Sequence, residues 1–355
     1  MPQQLVATAP RKAELVSYEE APLMAGEVRV KVEYASPKHG SEIADFRGER
    51  NQKEAIYDQE WHAFMPPNPN EAVGSPFGNW NIGNQWVARI TEIGPDVQGY
   101  ELGERLCGYG GIRESHVVNT KNPKRLMKMP EDMLWKNAVC FDPAQFALGG
   151  IRDGQVKMGD RVAISGLGAI GAIAAQMAKL AGASYVAVID PIQKRREAAL
   201  RAGADEAFDP MSQDVGLELK KATDKLGVDV IIETSANEHA LQACLRGLAY
   251  GGTIAFVGWA RPFKGGLNLG MEAHFNNAKI VFSRACSEPN PDYPRWSWKR
   301  IQEVCWHLLA TNQVNCEEIV DPVIPFHEAA DGYEHYVDRK PEESIKLGVA
   351  FTLTE

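Results

Sequence analysis

The stretch VAISGLGAIGAIAAQ, residues 162–176, decides how this chain folds. A short apolar strand runs into three glycines, Gly166, Gly168 and Gly171, and these run into a helix pattern built of small apolar residues. A second strand pattern, YVAVI, follows at 185–189, with an acid, Asp190, at its end, 19 residues beyond Gly171. The glycine spacing alone is a weak signal. Strand, glycine turn, helix, strand and acid in that order make a dinucleotide-binding fingerprint. Gly166 permits the tight turn, Gly168 lets the backbone approach a pyrophosphate, and Gly171 lets helix and strand pack closely. The helix mouth, from Gly168 through Ala169 and Ile170, offers backbone N–H groups to the phosphates. Asp190 can accept both adenosine ribose hydroxyls, and its charge opposes a 2'-phosphate, so the expected cofactor is NAD rather than NADP. Arg195, five residues later, lies over the adenosine side or in solvent at a helix start.

The same texture spreads outward from this stretch. From about 146 to 290, apolar strands alternate with amphipathic helices: QKRREAALRAGA (193–204) is helical in pattern, and VDVIIET (228–234), GGTIAFVGW (251–259) and KIVFSRA (279–285) are strands. Strands separated by helices of this length predict βαβ units and a parallel sheet covered on both faces. Residues 1 to about 145 differ, with β-type runs such as EVRVKVEYA (27–35) and WVARITEIG (86–94) between Gly, Pro and Asp turns. That texture predicts a β-rich, barrel-like domain. The final residues end in a strand-like SIKLGVAFTL (344–353). One connection, 49–82, is unusually long, polar and rich in Pro and Asn, and carries Trp61, His62, Phe64 and Trp80; connections of that length are commonly functional.

With 355 residues and 44% hydrophobic content, the chain can build two ordinary cores. A net charge of −9 argues against a nucleic-acid backbone or an anionic membrane as partner, and leaves a small molecule as the expected ligand. No apolar run approaches the roughly 20 residues of a membrane helix, and the opening MPQQLVATAPRK lacks a signal core, so a cytoplasmic protein is expected. Six cysteines (Cys107, Cys140, Cys244, Cys286, Cys305, Cys316) form no CxxC pair and read as reduced, buried thiols.

Over nearly its whole length the chain resembles the medium-chain dehydrogenase/reductase superfamily, which includes zinc alcohol, sorbitol and threonine dehydrogenases and quinone reductases. The resemblance is carried by EVRVKVEYAS followed by HGSE (27–36, 39–42), ITEIGPDVQGYELGERL (90–106), VKMGDRVAISGLGAIGAIAAQMAKLAGA (156–183), RREAALRAGADEAFD (195–209) and IKLGVAF (345–351). It implies an α/β fold with a doubly wound Rossmann domain, expected at 146–290, inserted into a GroES-like catalytic domain of 1–145 and 291–355. It also implies cofactor contacts from Ser235, Val257, Gly258 and Lys346, and a homodimer or homotetramer using the edge of the Rossmann sheet.

The resemblance raises the question of a metal. Where zinc members carry a Cys, this chain has His39. Their Gly-His-Glu falls here at Gly83, Asn84 and Gln85, and a later ligand falls near Asp142. Asn84 is a weak ligand for zinc, and a four-Cys structural lobe is absent, since only Cys107 occurs between 85 and 120. The expectation is therefore no catalytic metal, with a zinc held by relocated ligands (His39, His62, Asp142) as the alternative. Without a metal, oxidising a secondary alcohol still requires a home for the hydroxyl proton. By the resemblance Ser41 touches the substrate oxygen, His39 and Lys38 stand beside it, and Glu42 orients from behind. Lys38 could equally point to solvent, His39 be a satisfied loop histidine, and Asp142 cap a helix starting near Pro143.

The aromatics of 49–82, with Trp259, Arg261, Trp296 and Trp298, suit a ring with an apolar face and hydroxyl edges, so a sugar, glycoside or cyclitol is the expected substrate. Two rivals keep the same cofactor domain: a metal-free reductase of conjugated C=C bonds, against which Asp190 counts, and a non-catalytic NAD-binding protein.

Overall fold

The computed structural model of the chain describes residues 1–49, 56–66, 77–78, 80–121, 126–260, 262–284 and 292–351. In chain order the first elements are strands β1 (Gln3–Ala9), β2 (Lys12–Ser17) and β3 (Glu27–Ser36), helix α1 (His39–Phe46), strands β4 (Ile56–Asp58), β5 (Ala63–Met65) and β6 (Trp80–Asn81), and strands β7 (Gln85–Ile93), β8 (Arg105–Tyr109) and β9 (Ser115–Asn119). Next come β10 (Leu126–Lys128), α2 (Trp135–Ala138) and α3 (Phe141–Asp153). The alternating run follows: β11 (Arg161–Ser165), α4 (Ala169–Leu180), β12 (Tyr185–Ile189), α5 (Gln193–Arg201), β13 (Glu206–Phe208), α6 (Val215–Ala222), β14 (Val228–Glu233), α7 (Glu238–Gly247), β15 (Leu248–Phe256), α8 (Glu272–Phe275) and β16 (Lys279–Phe282). The chain then passes through α9 (Trp298–Ala310), β17 (Val320–Pro325) and α10 (Ala329–Tyr333), and ends in β18 (Lys346–Ala350).

Two compact units result, 1–122 with 323–355, and 123–322. In the first, β3 is the hub. Val28, Val30 and Val32 alternate inward, as a half-buried strand requires. Antiparallel partners surround it: β7, β9 and β18 each pair with β3, and β8 pairs with β7. Two register shifts in the β3–β7 pair bend the sheet, the device by which a β-layer curls into a barrel. The same sheet continues through β17 beside β18 and β10 beside β8, and a smaller sheet, β2–β1–β6, and the β4–β5 hairpin are separate from it.

The second unit is a six-stranded sheet in the order β13-β12-β11-β14-β15-β16, every pair parallel. That is the doubly wound order, and it reverses between β11 and β14, where such sheets open a crevice at their strand C-termini. Fully buried Val162, Ala163 and Ile164 form the middle of β11, and Ile231 and Ile232 lie beside them on β14. The helices begin where the sequence supplies acceptors: Asp214 caps α6, Asn237 caps α7 and Ser297 caps α9 through their side-chain oxygens.

This unit reaches further than the expected 146–290. The apolar face of α3, with Ala144, Ala147, Leu148 and Ile151, is buried, and α3 packs on α4 and α9, which draws 123–145 and 292–322 into it. Among the described residues no helix is long and apolar enough to cross a membrane. Five of the six cysteines are free thiols and buried; Cys286 lies outside the described residues.

Candidate active site and cofactor cradle

The corner after β3 is built by a proline. Pro37 cannot donate to a strand ladder, so the chain leaves the sheet there and turns through Lys38, at the N-cap of α1, into His39 as first helical residue. Glu42 lies in the first turn, with its backbone N–H on the Lys38 carbonyl at 3.0 Å. The Glu42 carboxylate faces the backbone N–H groups of Lys38 and Gly83 and accepts, at 3.4 Å, from the Tyr333 hydroxyl on α10. Burial lifts its carboxyl to about 7, although those donors and the nearby Lys346 ammonium all pull the other way. Tyr333 is fully buried against Phe46, and burial, reinforced by Glu42, pushes its hydroxyl well above the ordinary tyrosine range.

Gly83 makes its contact possible only as glycine. Its φ is +138°, and a Cβ there would stand 2.5 Å from the Ile112 nitrogen and 2.8 Å from the Gly111 carbonyl carbon. On the other side of the corner, β18 supplies three bonds. The buried Ser36 hydroxyl donates to the Leu347 carbonyl at 2.6 Å, Lys346 Nζ donates to the Pro37 carbonyl at 2.7 Å, and the Leu347 N–H donates to His39 Nε2 at 2.8 Å. Lys346, which the resemblance offered as a cofactor contact, is only 3% exposed and its ammonium is held inside this corner. The Ser41 side chain lies outside the described residues.

The cradle belongs to the second unit. Gly166 has φ +86° and its N–H donates to the Ile189 carbonyl at 2.8 Å, turning the chain between β11 and α4. A Cβ on Gly171 would come 1.8 Å from the Gly166 carbonyl oxygen, whereas a Cβ on Gly168 would meet nothing within 4 Å. Gly168 is the N-cap of α4 and no side chain caps it, so the first-turn N–H groups at Ala169 and Ile170 border open space. A pyrophosphate fits there on both counts, room and donors.

Asp190 is buried at 3% exposure, with one oxygen accepting from Leu167 N–H (2.7 Å) and the other from Ile192 N–H (2.8 Å). A carboxylate has about four acceptor positions, so both oxygens keep capacity for ribose hydroxyls. The Arg195 guanidinium stands 3.9 Å away; burial pulls it below its ordinary value and the Asp190 charge opposes that. Its neighbour Arg196 donates to the Asp190 carbonyl at 2.6 Å and pairs with Asp209 at 3.3 Å.

At the reversal of strand order, a residue that sequence reasoning missed organises the turn. Glu233 is fully buried at the end of β14. Its carboxylate accepts from the N–H groups of Ser235 (2.9 Å) and Ala236 (3.0 Å) and from the Ser235 hydroxyl. Its own carbonyl receives the N–H groups of Val257 (2.8 Å) and Gly258 (3.2 Å). Three expected cofactor contacts, Ser235, Val257 and Gly258, are thereby gathered around one carboxylate residue. An acid closing an apolar strand, VDVIIE, just before Thr-Ser was the available signal.

A family model described as "Zinc-binding dehydrogenase" matches residues 169–303. The D-guloside 3-dehydrogenase of Escherichia coli (strain K12) is 53% identical over 349 residues, 98% of this chain and 100% of that one. The chain belongs to the medium-chain dehydrogenase/reductase superfamily. As a member it is a dehydrogenase-type oxidoreductase. Two solved structures share the Rossmann and GroES-like fold: an oxidoreductase/dehydrogenase of unknown specificity from Escherichia coli, and the 2R,3R-butanediol dehydrogenase of Bacillus subtilis. The first has TM-score 0.76 and 18% identity, over 99% of both chains; the second has TM-score 0.75 and 17% identity, over 99% of this chain and 100% of that one.

The family model carries zinc in its name, and the donors of this superfamily member fit a zinc poorly. Among the described residues no group of three His, Cys, Asp or Glu converges as a metal site. His39 offers Nε2 to Leu347, and His62 is exposed on the β4–β5 hairpin with Nδ1 at 3.4 Å from the Tyr57 hydroxyl. Asn84 is held through its backbone, by Ser36 and Gly110, and Gln85 is buried at the start of β7. Asp142 stands in the first turn of α3. The helix starts at Phe141, with Cys140 at its N-cap, so the expected start near Pro143 is corrected: Asp142 favours the positive helix end from inside.

The expected aromatic surface also needs correction. Trp296 is sandwiched between the guanidinium groups of Arg152 (3.5 Å) and Arg300 (4.3 Å), and Trp298 donates its indole N–H to Gln145 at 2.9 Å. Both are half-buried and have these partners within the second unit. Trp61, Phe64 and Trp259 are exposed, while Arg261 and residues 50–55, 67–76 and 79 lie outside the described residues.

Proposed function

We propose that the chain is an NAD-dependent, zinc-free dehydrogenase that oxidises a ring secondary hydroxyl of a glycoside, at the 3-position, or reduces the corresponding ketone. The carrying observation is the full-length 53% identity to a protein named for dehydrogenating a guloside at position 3. It favours the alcohol reading over reduction of a conjugated C=C bond. NAD is favoured over NADP because the Asp190 carboxylate, fixed by two backbone N–H groups, puts negative charge where a 2'-phosphate would lie. A zinc-free reaction is favoured because His39 Nε2 already has a partner and Asn84 stands where a ligand would be needed.

When bound, the nicotinamide supplies the hydride acceptor. Everything else falls to the chain: Gly166, Gly168, Gly171 and the α4 N-terminus hold the pyrophosphate, and Asp190, with Arg195 beside it, holds the adenosine ribose. By the resemblance alone Ser41 contacts the substrate oxygen; Lys38 and His39 stabilise the charge there, and Glu42 fixes the corner behind them. Asp142 is assigned to the same chemistry only through the resemblance.

The test is a turnover assay with purified protein, methyl hexopyranosides including a guloside, and NAD or NADP, alongside elemental mass spectrometry for zinc. The expected result is NAD reduction, a 3-keto product by NMR, far below one zinc per chain and no loss with chelator. A stoichiometric zinc whose removal abolishes turnover would overturn the zinc-free part, and inactivity on every glycoside would overturn the substrate.

A further inference from the structure

The bonds that β18 makes to the corner follow from one residue, Pro37. In the β3–β18 pair, Phe351 N–H donates to the Glu33 carbonyl at 2.9 Å, and Val349 stands opposite Ala35. Two residues further in the same register, Leu347 stands opposite position 37. There an antiparallel ladder calls for a reciprocal rung: Leu347 N–H to the carbonyl of residue 37, and that residue's N–H back to Leu347. Proline has no N–H to return, and as the chain leaves the sheet there its carbonyl faces Lys346 Nζ instead of the Leu347 N–H. The rung is replaced piecewise by side chains: Ser36 Oγ serves the Leu347 carbonyl, Lys346 Nζ serves the Pro37 carbonyl, and the orphaned Leu347 N–H turns to His39 Nε2.

A nitrogen that accepts a hydrogen bond carries a lone pair and no proton, so the neutral ring holds its proton on Nδ1. A proton on Nε2 would face the Leu347 N–H, and a metal on Nε2 would have to displace it. We propose that β18, redirected by Pro37, locks His39 in the Nδ1–H form, so that His39 serves the reaction as a hydrogen-bond donor through Nδ1. It is then neither the base nor a metal ligand. The donor half rests on the catalytic reading of the corner; the tautomer half stands on the backbone geometry alone. Pro37 and Leu347 are positioning residues, acting through His39.

The two halves are tested separately. In protein labelled with ¹⁵N-histidine, the His39 ring signals, assigned by their loss in His39→Asn, should show Nε2 unprotonated and Nδ1 protonated. Pro37→Ala lets residue 37 resume the full rung, its carbonyl taking back the Leu347 N–H that Nε2 now accepts, and should release Nε2 and mix the two forms. A protonated or zinc-shifted Nε2 in the unaltered protein would overturn the lock, as would an unchanged His39 signature in Pro37→Ala. Turnover then tests the donor. An Asn amide lies near the Nδ1 position and a Gln amide near Nε2, so His39→Gln should lose about 100-fold in kcat with little change in KM, while His39→Asn retains about ten times more. Equal activity of the two variants, or full activity in His39→Ala, would overturn the donor role while leaving the tautomer result to stand.

Discussion

Glu42 is a carboxyl that faces donors from Lys38, Gly83 and Tyr333, in a place where burial outweighs them. Its folded value, about 7, lies above its ordinary 4.5, so ionising it costs folding stability above pH 7, and this cost fades as pH falls toward 4.5. Glu42→Gln should therefore be more stable than the parent at pH 8, on the order of 2 kcal/mol, and lose that advantage by pH 4.5. Urea melts of both proteins at several pH values measure it; a difference that ignores pH would remove the buried charge as the cause. Gly83→Ala should destabilise by at least about 2 kcal/mol in the same melts, since both its φ and its close neighbours exclude a Cβ. At this scale the sequence was half readable. His39, Glu42 and Gly83 could be picked out as neighbours in sequence or by resemblance, but Leu347 could not, because its part is played by a backbone N–H that every residue except proline carries.

The strand-turn-helix from β11 to α4 was readable because its rules are local: an apolar run, glycine spacing and a small-residue helix face lie within one stretch. Its glycines nevertheless do different work, and two substitutions separate them. Gly168→Ala should cost about 1 kcal/mol or less in stability, as its Cβ points into open space, yet weaken NAD binding at least about tenfold by filling the pyrophosphate approach. Gly171→Ala should damage both folding and binding, because its Cβ would collide with the Gly166 carbonyl. Thermal melts with and without NAD distinguish the two patterns. The start of α3 was misplaced for an equally local reason: Pro143 suits the first turn of a helix anywhere within it, and Phe141 and Asp142 ahead of it give no stop signal. The arginine and glutamine partners of Trp296 and Trp298 were not legible, because an indole that binds sugar and one that stacks on arginine look the same in sequence.

For the whole molecule, composition and texture separated a β-rich unit from a parallel α/β unit, while the boundaries moved because α3 and α9 join the second unit by packing rather than by pattern. The described sheet of that unit ends at β16, where Phe282 is 77% exposed and Phe275 nearby is equally exposed. An edge strand with such side chains invites pairing with a second copy. We expect a homodimer in solution, and Phe282→Glu should shift light-scattering mass toward the monomer without changing NAD affinity. Discrimination between cofactors is checked by Asp190→Ala, which should weaken NAD binding and narrow the gap to NADP; unchanged affinities for both would remove Asp190 from the ribose site.

The position of β18 in the chain carries one more consequence. His39 receives its fixing bond from a residue 308 positions later, while the second unit is a continuous stretch completed by residue 322. During synthesis domains settle as they emerge, so the cradle can fold around a dinucleotide while the ribosome still holds the strand that finishes the corner. Under the proposed function, chemistry waits for translation to deliver Leu347, and a nascent chain that already grips its cofactor has no way to spend it.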